Sequence, residues 1–202
     1  MKVLIACEES QAVTKEFRKL GHEAYSCDIE PCSGGHPEWH LKGDVLQHLY
    51  KEWDLIIAHP PCTYTSNAGA RFLYPKGVLN VERLKKGIIG RDLFMLIWNS
   101  PCKKICVENP LPSSIYCFPK HSQVVQPYEY GHPVKKRTQL WLKGLPILEP
   151  TDIVDIRQST KIAGNWFNKG GKDRQKNRSK TFPGIAKAMA EQWGGRSNGE
   201  NN

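Results

Sequence analysis

The feature that most constrains the fold of this chain is an apolar strand that stops at two prolines. Asp54–Ala58 (DLIIA) is continuously apolar after its first residue, and His59-Pro60-Pro61-Cys62 follows at once. A short apolar run of this kind is typical of a parallel strand that is covered on both faces. Because proline has no backbone N–H, a strand in a sheet ends where a Pro-Pro pair begins. The run therefore predicts a parallel sheet with other elements packed on both faces.

Strand-like and helix-like segments alternate along the rest of the chain. This alternation predicts an α/β fold with a mainly parallel, doubly wound sheet, and two late strands predict an antiparallel edge hairpin around Gly131-His132-Pro133. At 202 residues we expect one domain over 1–194 and a disordered polar tail over 195–202. The predicted strands are Lys2–Cys7, Glu23–Asp28, Asp54–Ala58, Lys104–Val107, Gln123–Tyr130 and Thr138–Lys143, and the predicted helices are Gln11–Leu20, Val81–Asn99 and Pro183–Trp193.

Composition argues against a membrane-spanning or secreted protein. No apolar run reaches the length that a bilayer requires, and the start (MKVLIACEES) lacks the basic region of a signal peptide. The seven cysteines are an odd number at irregular spacing, which favours reduced thiols. We therefore expect a soluble, cytoplasmic protein.

The net charge of +9 is concentrated in one segment near the end of the chain. Between Arg157 and Lys180 there are eight basic residues and one acid, Asp173. Such a segment fits a polyanionic partner, most often nucleic acid, although a solvated loop has the same composition. Trp166 and Phe167 lie within it and suit either stacking on an unpaired base or anchoring to the core. The cations expected to hold DNA here are Lys172, Arg174, Lys176 and Arg178.

Chemically useful side chains follow three of the predicted strands. Cys62 comes after Asp54–Ala58 on a rigid Pro-Pro turn, where a thiol is fixed and open to a cleft. Glu108 follows Lys104–Val107 and would hydrogen-bond a ring nitrogen of a substrate beside that thiol. Asp28 ends the second strand, where an acid commonly accepts from a ribose diol. Taken singly each also has an ordinary structural role, since a lone cysteine is most often a small buried apolar residue.

Taken in order, these motifs resemble the DNA cytosine carbon-5 methyltransferase family from Lys2 to Trp193. Pro61-Cys62 resembles the family's Pro-Cys nucleophile motif, and Val107–Pro110 (VENP) resembles its Glu-Asn-Val motif. The stretches HPPCTY, TQLWLKGLP and TFPGIA look like compact members encoded by phages and prophages. Further segments similar to family motifs are Tyr25–Glu30 for ribose and adenine, Gly43-Asp44-Val45 for the adenine amine, Tyr130–Thr138 for the flipped base, and Thr181–Gly184 for the last motif.

The resemblance implies a Rossmann-like methyltransferase domain that methylates carbon-5 of cytosine in DNA with S-adenosylmethionine. Cys62 would add to carbon-6, Glu108 would hold or protonate the ring nitrogen, and Asn109 would be a further catalytic residue. The base would be flipped from a duplex or taken from a single strand. The residues implied at the cofactor are Ala6, Cys7, Glu8, Ser10, Asp28, Ile29, Asp44, Pro61 and Thr181, and those implied at the DNA are Lys136 and Arg137.

Three features depart from the family pattern. The turn Ala6–Ser10 (ACEES) lacks the family's glycines, so the backbone must approach the methionine moiety differently. Thr138 replaces the second arginine of an Arg-x-Arg pair, so a contact to the base passes to Lys136 or Arg137 or is lost. Only Trp141–Phe182 fills the interval of the large target-recognition domain. Sequence specificity is therefore expected to be weak, supplied by a partner, or carried by the basic segment.

Other functions remain open at this point. His59–Cys62 (HPPC) also resembles the (Asp/Asn/Ser)-Pro-Pro-aromatic motif of methyltransferases that act on exocyclic amines, with His59 at the acceptor position and Cys62 at the aromatic one. A catalytically degraded relative would bind DNA without turnover, and an enzyme for free nucleotides would not need the basic segment. A zinc site is not expected, because the intervals are too short for paired ligands; its ligands would be Cys27, Cys32, His36 and His40.

Overall fold

In the computed structural model, which describes residues 1–156 and 180–195, one mixed sheet forms the centre of the protein. Its strands lie in the order β3-β2-β1-β4-β5-β7-β6. The strands are β1 (Lys2–Ala6), β2 (Glu23–Asp28), β3 (His40–Lys42), β4 (Leu55–Ala58), β5 (Ile105–Asn109), β6 (Gln123–Val125) and β7 (Thr138–Lys143). The helices are α1 (Ala12–Lys19), α2 (Val81–Trp98) and α3 (Pro183–Met189), which continues as a π-helical turn, Ala190–Gly194.

The first five strands are parallel, and β7 lies antiparallel between β5 and β6. The predicted fold class, a Rossmann-like α/β fold with a mainly parallel, doubly wound sheet and an antiparallel edge hairpin, is confirmed. Its physical basis is the pair of apolar strands β1 and β4 at the middle of the sheet, which need cover on both faces.

Alternate residues of β1 enter two separate cores. Val3 and Ile5 lie on the face that packs with Phe17 of α1 and with α3. Leu4 and Ala6 lie on the other face, which α2 covers through Phe94. All of these side chains are fully buried, and burial of each large apolar one stabilises the fold by roughly 1.5–3 kcal/mol. The two cores hold the strand ends rigidly in register.

Two glycines that weaken the helix prediction for α2 prove to be close-packing positions. A Cβ at Gly87 would collide with the Tyr116 hydroxyl, and a Cβ at Gly90 would lie 3.3 Å from the Thr65 methyl group. At its start, the Asn80 side chain accepts from the Arg83 N–H at 3.0 Å and caps the helix. The glycines therefore allow α2 to lie close to the loops that follow β4 and β5.

The structure differs from the sequence prediction at two strands. Gln123–Tyr130 was expected to be one strand, but β6 stops at Val125 because Pro127 starts a 3-10 turn and has no N–H for the ladder. β3 was not predicted, since three residues (HLK) carry no measurable periodicity. Among the described helices, none has the length and hydrophobicity to cross a bilayer.

Candidate active site

The candidate residues lie along one edge of the sheet. The carboxyl ends of β1, β2, β4 and β5 meet there, and β7, which runs the opposite way, begins there. The chain builds β2 and β3 on one side of β1 before it returns to β4 on the other, so the strand order reverses between β1 and β4. Ligands of open α/β sheets bind outside the carboxyl ends of the strands at such a switch point. This edge is thus where a ligand site is expected.

The loops after β4 and β5 are joined by backbone hydrogen bonds. Ser113 N donates to the carbonyl of Thr65 at 2.8 Å, and within the first loop Ser66 N donates to the carbonyl of Cys62 at 2.9 Å. The Pro-Pro turn is thereby held against the end of β5, and the charge of Glu108 acts on the Cys62 thiol. Two residues that are far apart in sequence are brought together, as the sequence predicts.

Glu108 is a largely buried carboxyl group with two stabilising neighbours. His59 Nδ1 lies 3.2 Å from its Oε2, and the Glu108 side chain is 19% exposed. Burial opposes ionisation, but the hydrogen bond and charge of His59, together with the charge of Lys136, outweigh it and lower the pKa of Glu108. Glu108 is therefore a carboxylate at neutral pH, and this hydrogen bond assigns the donor role to His59 Nδ1.

Cys62 is surrounded by some of the same charges as Glu108, but its pKa is raised, whereas that of Glu108 is lowered. Burial, and then the charge of Glu108, raise the pKa of the Cys62 thiol, while Lys136 acts in the other direction. The resting form is thus the thiol, and a thiolate forms only if a base accepts its proton. Lys136 is the cation that favours this step.

Several buried polar atoms near this edge have no hydrogen-bond partner among the described residues. They include His59 Nε2, Asn109 Oδ1 and Gln139 Oε1, and Asn109 faces Gln139 across the β5–β7 pair. A buried polar atom without a partner costs about 1–3 kcal/mol, so such atoms are candidates to receive a substrate group. Sequence reasoning did not select His59 as a site residue, although its place before Pro-Pro was a usable signal.

The turn after β1 adopts a glycine-like backbone conformation although it contains no glycine. Cys7 has φ of 58°, a left-handed value that glycine adopts readily and that costs another residue roughly 1–3 kcal/mol. The backbone thus takes up a glycine-like turn without a glycine. Ala6, just before it, is fully buried in β1, so any contact from Ala6 to a ligand is made by its backbone.

Glu8 and Ser10, both predicted at the cofactor, serve the start of α1. The buried Glu8 carboxylate accepts from Val13 N and from Thr14 Oγ1, each at 2.7 Å. Ser10 Oγ accepts from Ala12 N at 3.4 Å. These bonds satisfy N–H groups that a helix start leaves unpaired. A cofactor contact by either side chain stays a prediction.

The ends of β2 and β3 carry exposed or half-buried acids. Asp28 Oδ1 accepts from Glu30 N at 2.9 Å, and Asp44 Oδ1 accepts from Leu46 N at 3.0 Å. Burial first, and then nearby Glu9 and Glu30, raise the pKa of Asp28, against the bond from Glu30 N and the charge of His40. Ile29, between the two segments, is exposed. The first half of the edge is therefore acidic.

The segments Tyr130–Thr138 and Thr181–Gly184 pack together beside Glu108. Gly184 N donates to His132 Nε2 at 3.0 Å, and Lys136 Nζ lies 5.6 Å from the centre of the Phe182 ring. Arg137 is exposed. A small cavity joins these segments, lined in part by Glu108, Lys136, Thr138 and Thr181. Thr181 thus lies on the Cys62 side of the edge, as does the exposed Pro61.

A cationic and aromatic surface beside Cys62 was not predicted from the sequence. The Arg83 guanidinium lies 5.1 Å from the Tyr64 ring and 5.4 Å from the Phe72 ring, and Lys86 Nζ lies 5.4 Å from the Tyr64 ring. Arg83 also donates to the carbonyl of Thr63 at 3.0 Å. We call Tyr64, Phe72, Arg83 and Lys86 the Tyr64 cluster. No periodicity in the sequence predicts this cluster, because its members come from the segment after β4 and from α2.

The residues considered for zinc are engaged otherwise. His40 contacts the Ser26 hydroxyl and the Glu30 carbonyl, and His36 stacks on Trp39. Cys27 is buried in β2. Across residues 1–156 and 180–195, no three His, Cys, Asp or Glu side chains are grouped to hold a metal ion.

Part of the predicted nucleic-acid interface lies outside the described residues. These positions are Trp166, Lys172, Arg174, Lys176 and Arg178. Their predicted role stays a prediction from composition, and within the described ranges Lys136, Arg137 and the Tyr64 cluster supply cations at the Cys62 side.

No family model and no curated protein matches the chain. Among solved structures, it is similar to the crystal structure of a prophage-encoded E. coli protein that is inferred to be a DNA modification methyltransferase. The TM-score is 0.44 at 13% identity, and the match covers 77% of this chain and 52% of that one. The chain thus spans about half the length of that protein. Likeness at this level bears on neither substrate nor mechanism.

Proposed function

We propose that the chain is an S-adenosylmethionine-dependent methyltransferase that acts on carbon-5 of cytosine in DNA through a covalent adduct with Cys62. The observation that carries the proposal is the group formed by Cys62, Glu108 and Lys136 at the ends of β4 and β5 and the start of β7. It combines a nucleophile, a hydrogen-bonding group for a ring nitrogen and a cation that favours the thiolate.

The reaction needs a group of this composition because carbon-5 of cytosine is a poor nucleophile. The Cys62 sulfur forms a bond to carbon-6, and the electron pair of the carbon-5–carbon-6 double bond becomes available at carbon-5. The Glu108 carboxylate takes the proton that the Cys62 thiol loses and passes it to the ring nitrogen, where it neutralises the negative charge that builds on the ring. The hydrogen bond from His59 holds Glu108 in position. After methyl transfer, a base takes the proton from carbon-5, and the bond from Cys62 to carbon-6 breaks.

The acidic half of the edge fits the cofactor. S-adenosylmethionine supplies an electrophilic methyl group on a positively charged sulfur. Asp28 and Asp44 would hold the nucleoside part, and the left-handed turn at Cys7 would let the backbone come close to the methionine part. The negative charges of Glu9, Asp28 and Asp44 favour a cationic ligand.

The Tyr64 cluster fits the nucleic acid. Its cations suit phosphates, and its aromatic rings suit stacking on a base that has left the helix. A base whose carbon atoms react must be flipped out or single-stranded, since a stacked duplex hides them. Tyr64 of the cluster follows Cys62 by two residues, so a base at the thiol would be flanked by the cluster.

A second candidate, methylation of an exocyclic amine, is favoured by one observation. His59 donates through Nδ1, so a neutral His59 presents Nε2 as an acceptor, and Nε2 is buried without a partner among the described residues. An acceptor before Pro-Pro is what amine chemistry requires. The two candidates differ in their product, which is a base methylated either on carbon-5 or on the amine nitrogen. They differ also in that only carbon-5 chemistry needs Cys62.

The test uses DNA with 5-fluorocytosine, whose fluorine cannot leave as a proton. Wild-type protein with S-adenosylmethionine should form an adduct that resists denaturation and maps to Cys62. Cys62→Ala should abolish both the adduct and transfer of labelled methyl to ordinary cytosine. Cys117→Ala removes an exposed cysteine elsewhere and is the matched control.

Two outcomes would overturn the proposal. If Cys62→Ala still methylates DNA and digestion yields an N-methylated base, the exocyclic-amine candidate replaces it. If the wild type binds DNA but transfers no methyl group to any DNA in a broad panel, the chain is a catalytically degraded relative.

A further inference from the structure

Helix α2 is apolar on two faces, which a helix at a protein surface normally is not. One face packs inward through Gly87, Phe94 and Ile97. The opposite face exposes four aliphatic side chains to solvent in the described structure: Val81 (51%), Ile88 (45%), Ile89 (68%) and Leu96 (43%). Exposed apolar side chains that are grouped on one face among charged residues are a common mark of an interaction site.

The side chains of the exposed face are arranged symmetrically about the middle of the helix. At about 3.6 residues per turn, its members fall in one sector about 100° wide, centred between Ile88 and Ile89. Val81 and Leu96 are equally far from this midpoint along the helix, and so are Lys85 and Asp92. The face thus carries opposite charges at matched distances on either side of its centre.

We propose that this face binds the same face of a second copy of the chain, with the two α2 helices antiparallel about a two-fold axis. Residues equidistant from the midpoint then meet at the same height, so Lys85 lies opposite the partner's Asp92, and this contact occurs twice. Val81 meets the partner's Leu96, and Ile88 and Ile89 of both copies form the centre. A parallel pairing would instead set Lys85 against the partner's Lys85.

The charged residues of this face can exchange their partners within the helix for contacts across an interface. In the described structure Lys85 pairs with Glu82 and Asp92 pairs with Arg91, and both pairs are on the surface with side chains more than a third exposed. Exposed pairs within one helix contribute little to stability, so they exchange readily for contacts across an interface.

The pairing has a consequence for the candidate active sites. α2 begins beside the Cys62 loop, where Arg83 binds the Thr63 carbonyl. It ends at the opposite edge of the sheet, where Lys143 Nζ donates to the Trp98 carbonyl at 3.0 Å. Over 18 residues the helix is about 27 Å long. Antiparallel helices therefore point the two sites to opposite ends of the dimer, where they serve separate stretches of substrate.

The first test measures the association state of the full chain by sedimentation velocity. A single helix face is at the small end of interface sizes, so we expect a dissociation constant of about 10 µM. Ile89→Glu should weaken association at least tenfold. Ile153→Glu replaces an equally exposed side chain (73%) outside α2 and should leave association unchanged.

The second test uses charge reversal and distinguishes this geometry from a parallel pairing, in which the wild type would already place like charges opposite one another. Lys85→Asp alone and Asp92→Lys alone each place like charges opposite one another twice per dimer. Each variant should therefore be monomeric at a protein concentration at which the wild type is dimeric. An equimolar mixture of the two variants should form a heterodimer, because both contacts are then between opposite charges.

Unchanged thermal unfolding of each variant separates lost association from lost folding. A wild type that stays monomeric at the highest attainable concentration overturns the proposal. So does a dimer that persists in Ile89→Glu, or a mixture that does not associate. The outcome is independent of methyl transfer, since no residue of this face belongs to the candidate active site.

Discussion

The two halves of the edge that carries the candidate site each contain a partly buried cysteine after a strand, and the surroundings make the two cysteines chemically different. Burial raises the pKa of both Cys7 and Cys62. Around Cys7 the further influences are Asp28, Cys27 and Asp44, which all raise it more. Around Cys62, Lys136 counteracts Glu108. The thiolate is therefore disfavoured at both cysteines, but only at Cys62 does a neighbouring lysine partly offset that effect.

This contrast in charge matches the different roles that we propose for the two halves of the site. The half formed by β1, β2 and β3 is acidic and suits a cationic cofactor. The half formed by β4, β5 and β7 contains the candidate nucleophile, and cations of the Tyr64 cluster and Lys136 lie beside it. Substitutions confined to one half should leave the function of the other intact.

The largest effect is expected from Glu108→Gln in the second half. The amide keeps the shape of the side chain but cannot carry the proton that the ring nitrogen requires. We expect kcat for methyl transfer to fall by about 10²–10³, the scale for one lost electrostatic contact at a reacting centre. Binding of S-adenosylhomocysteine, measured by calorimetry, should not change. Wild-type kcat in this variant would remove Glu108 from the mechanism.

Acid stability offers a control for Glu108→Gln that does not depend on activity. The pKa of Glu108 is lowered from 4.5 in the folded protein, so its ionised form stabilises the fold above the unfolded-state value. This contribution is lost as pH falls from about 4.5 towards the lowered folded-state value. Glu108→Gln lacks the contribution, so its unfolding free energy should vary less with pH in that window.

Asp28→Asn should have the next largest effect, and in the first half. Loss of the charged acceptor should weaken S-adenosylhomocysteine binding by about 1.5–3 kcal/mol, roughly ten- to hundred-fold. Asp54→Asn is the matched control, because Asp54 precedes β4 at the opposite edge, where its carboxylate accepts from Lys2 N at 2.7 Å. If both variants bind equally well, the ribose role of Asp28 is wrong.

The smallest effect is expected from replacing two cations of the Tyr64 cluster. Arg83→Ser with Lys86→Ser should flatten the dependence of log affinity for DNA on log salt by about 1.8 for a duplex or about 1.4 for a single strand. Lys103→Ser with Lys104→Ser removes equal charge at the opposite edge of the sheet and should leave the slope unchanged. Equal slopes in both double variants would show that DNA does not contact the cluster.

Much of the fold could be predicted because its signals are local. β1, β2, β4, β5 and β7 fall within a residue or two of their predicted bounds, since apolar runs and Gly or Pro stops are written in consecutive residues. The sequence does not predict β3, because a strand of three residues has no measurable period. It predicts a longer β6 than the structure shows, because a turn that starts at Pro127 overrides the strand propensity. The pairing of Cys62 with Glu108 followed from the rule that parallel strand ends share an edge.

The roles of individual side chains were predictable only in part. Glu8 looked like a residue beside a cofactor, yet its carboxylate caps α1, which depends on how the turn after β1 bends back. His59 and the Tyr64 cluster were not selected as site residues, because each gains its significance from a neighbour far along the chain.

The sequence by itself determined the doubly wound sheet, the edge at which a ligand site is expected, and the nucleophile candidate Cys62, because these depend on patterns within a few consecutive residues. Only the tertiary structure decided that His59 holds Glu108 as a carboxylate, that Cys62 but not Cys7 has a lysine that counteracts the nearby acid, and that α2 presents a charge-matched apolar face. Electrostatic effects depend on distance and burial in space, and these become defined only when separate segments of the chain pack together.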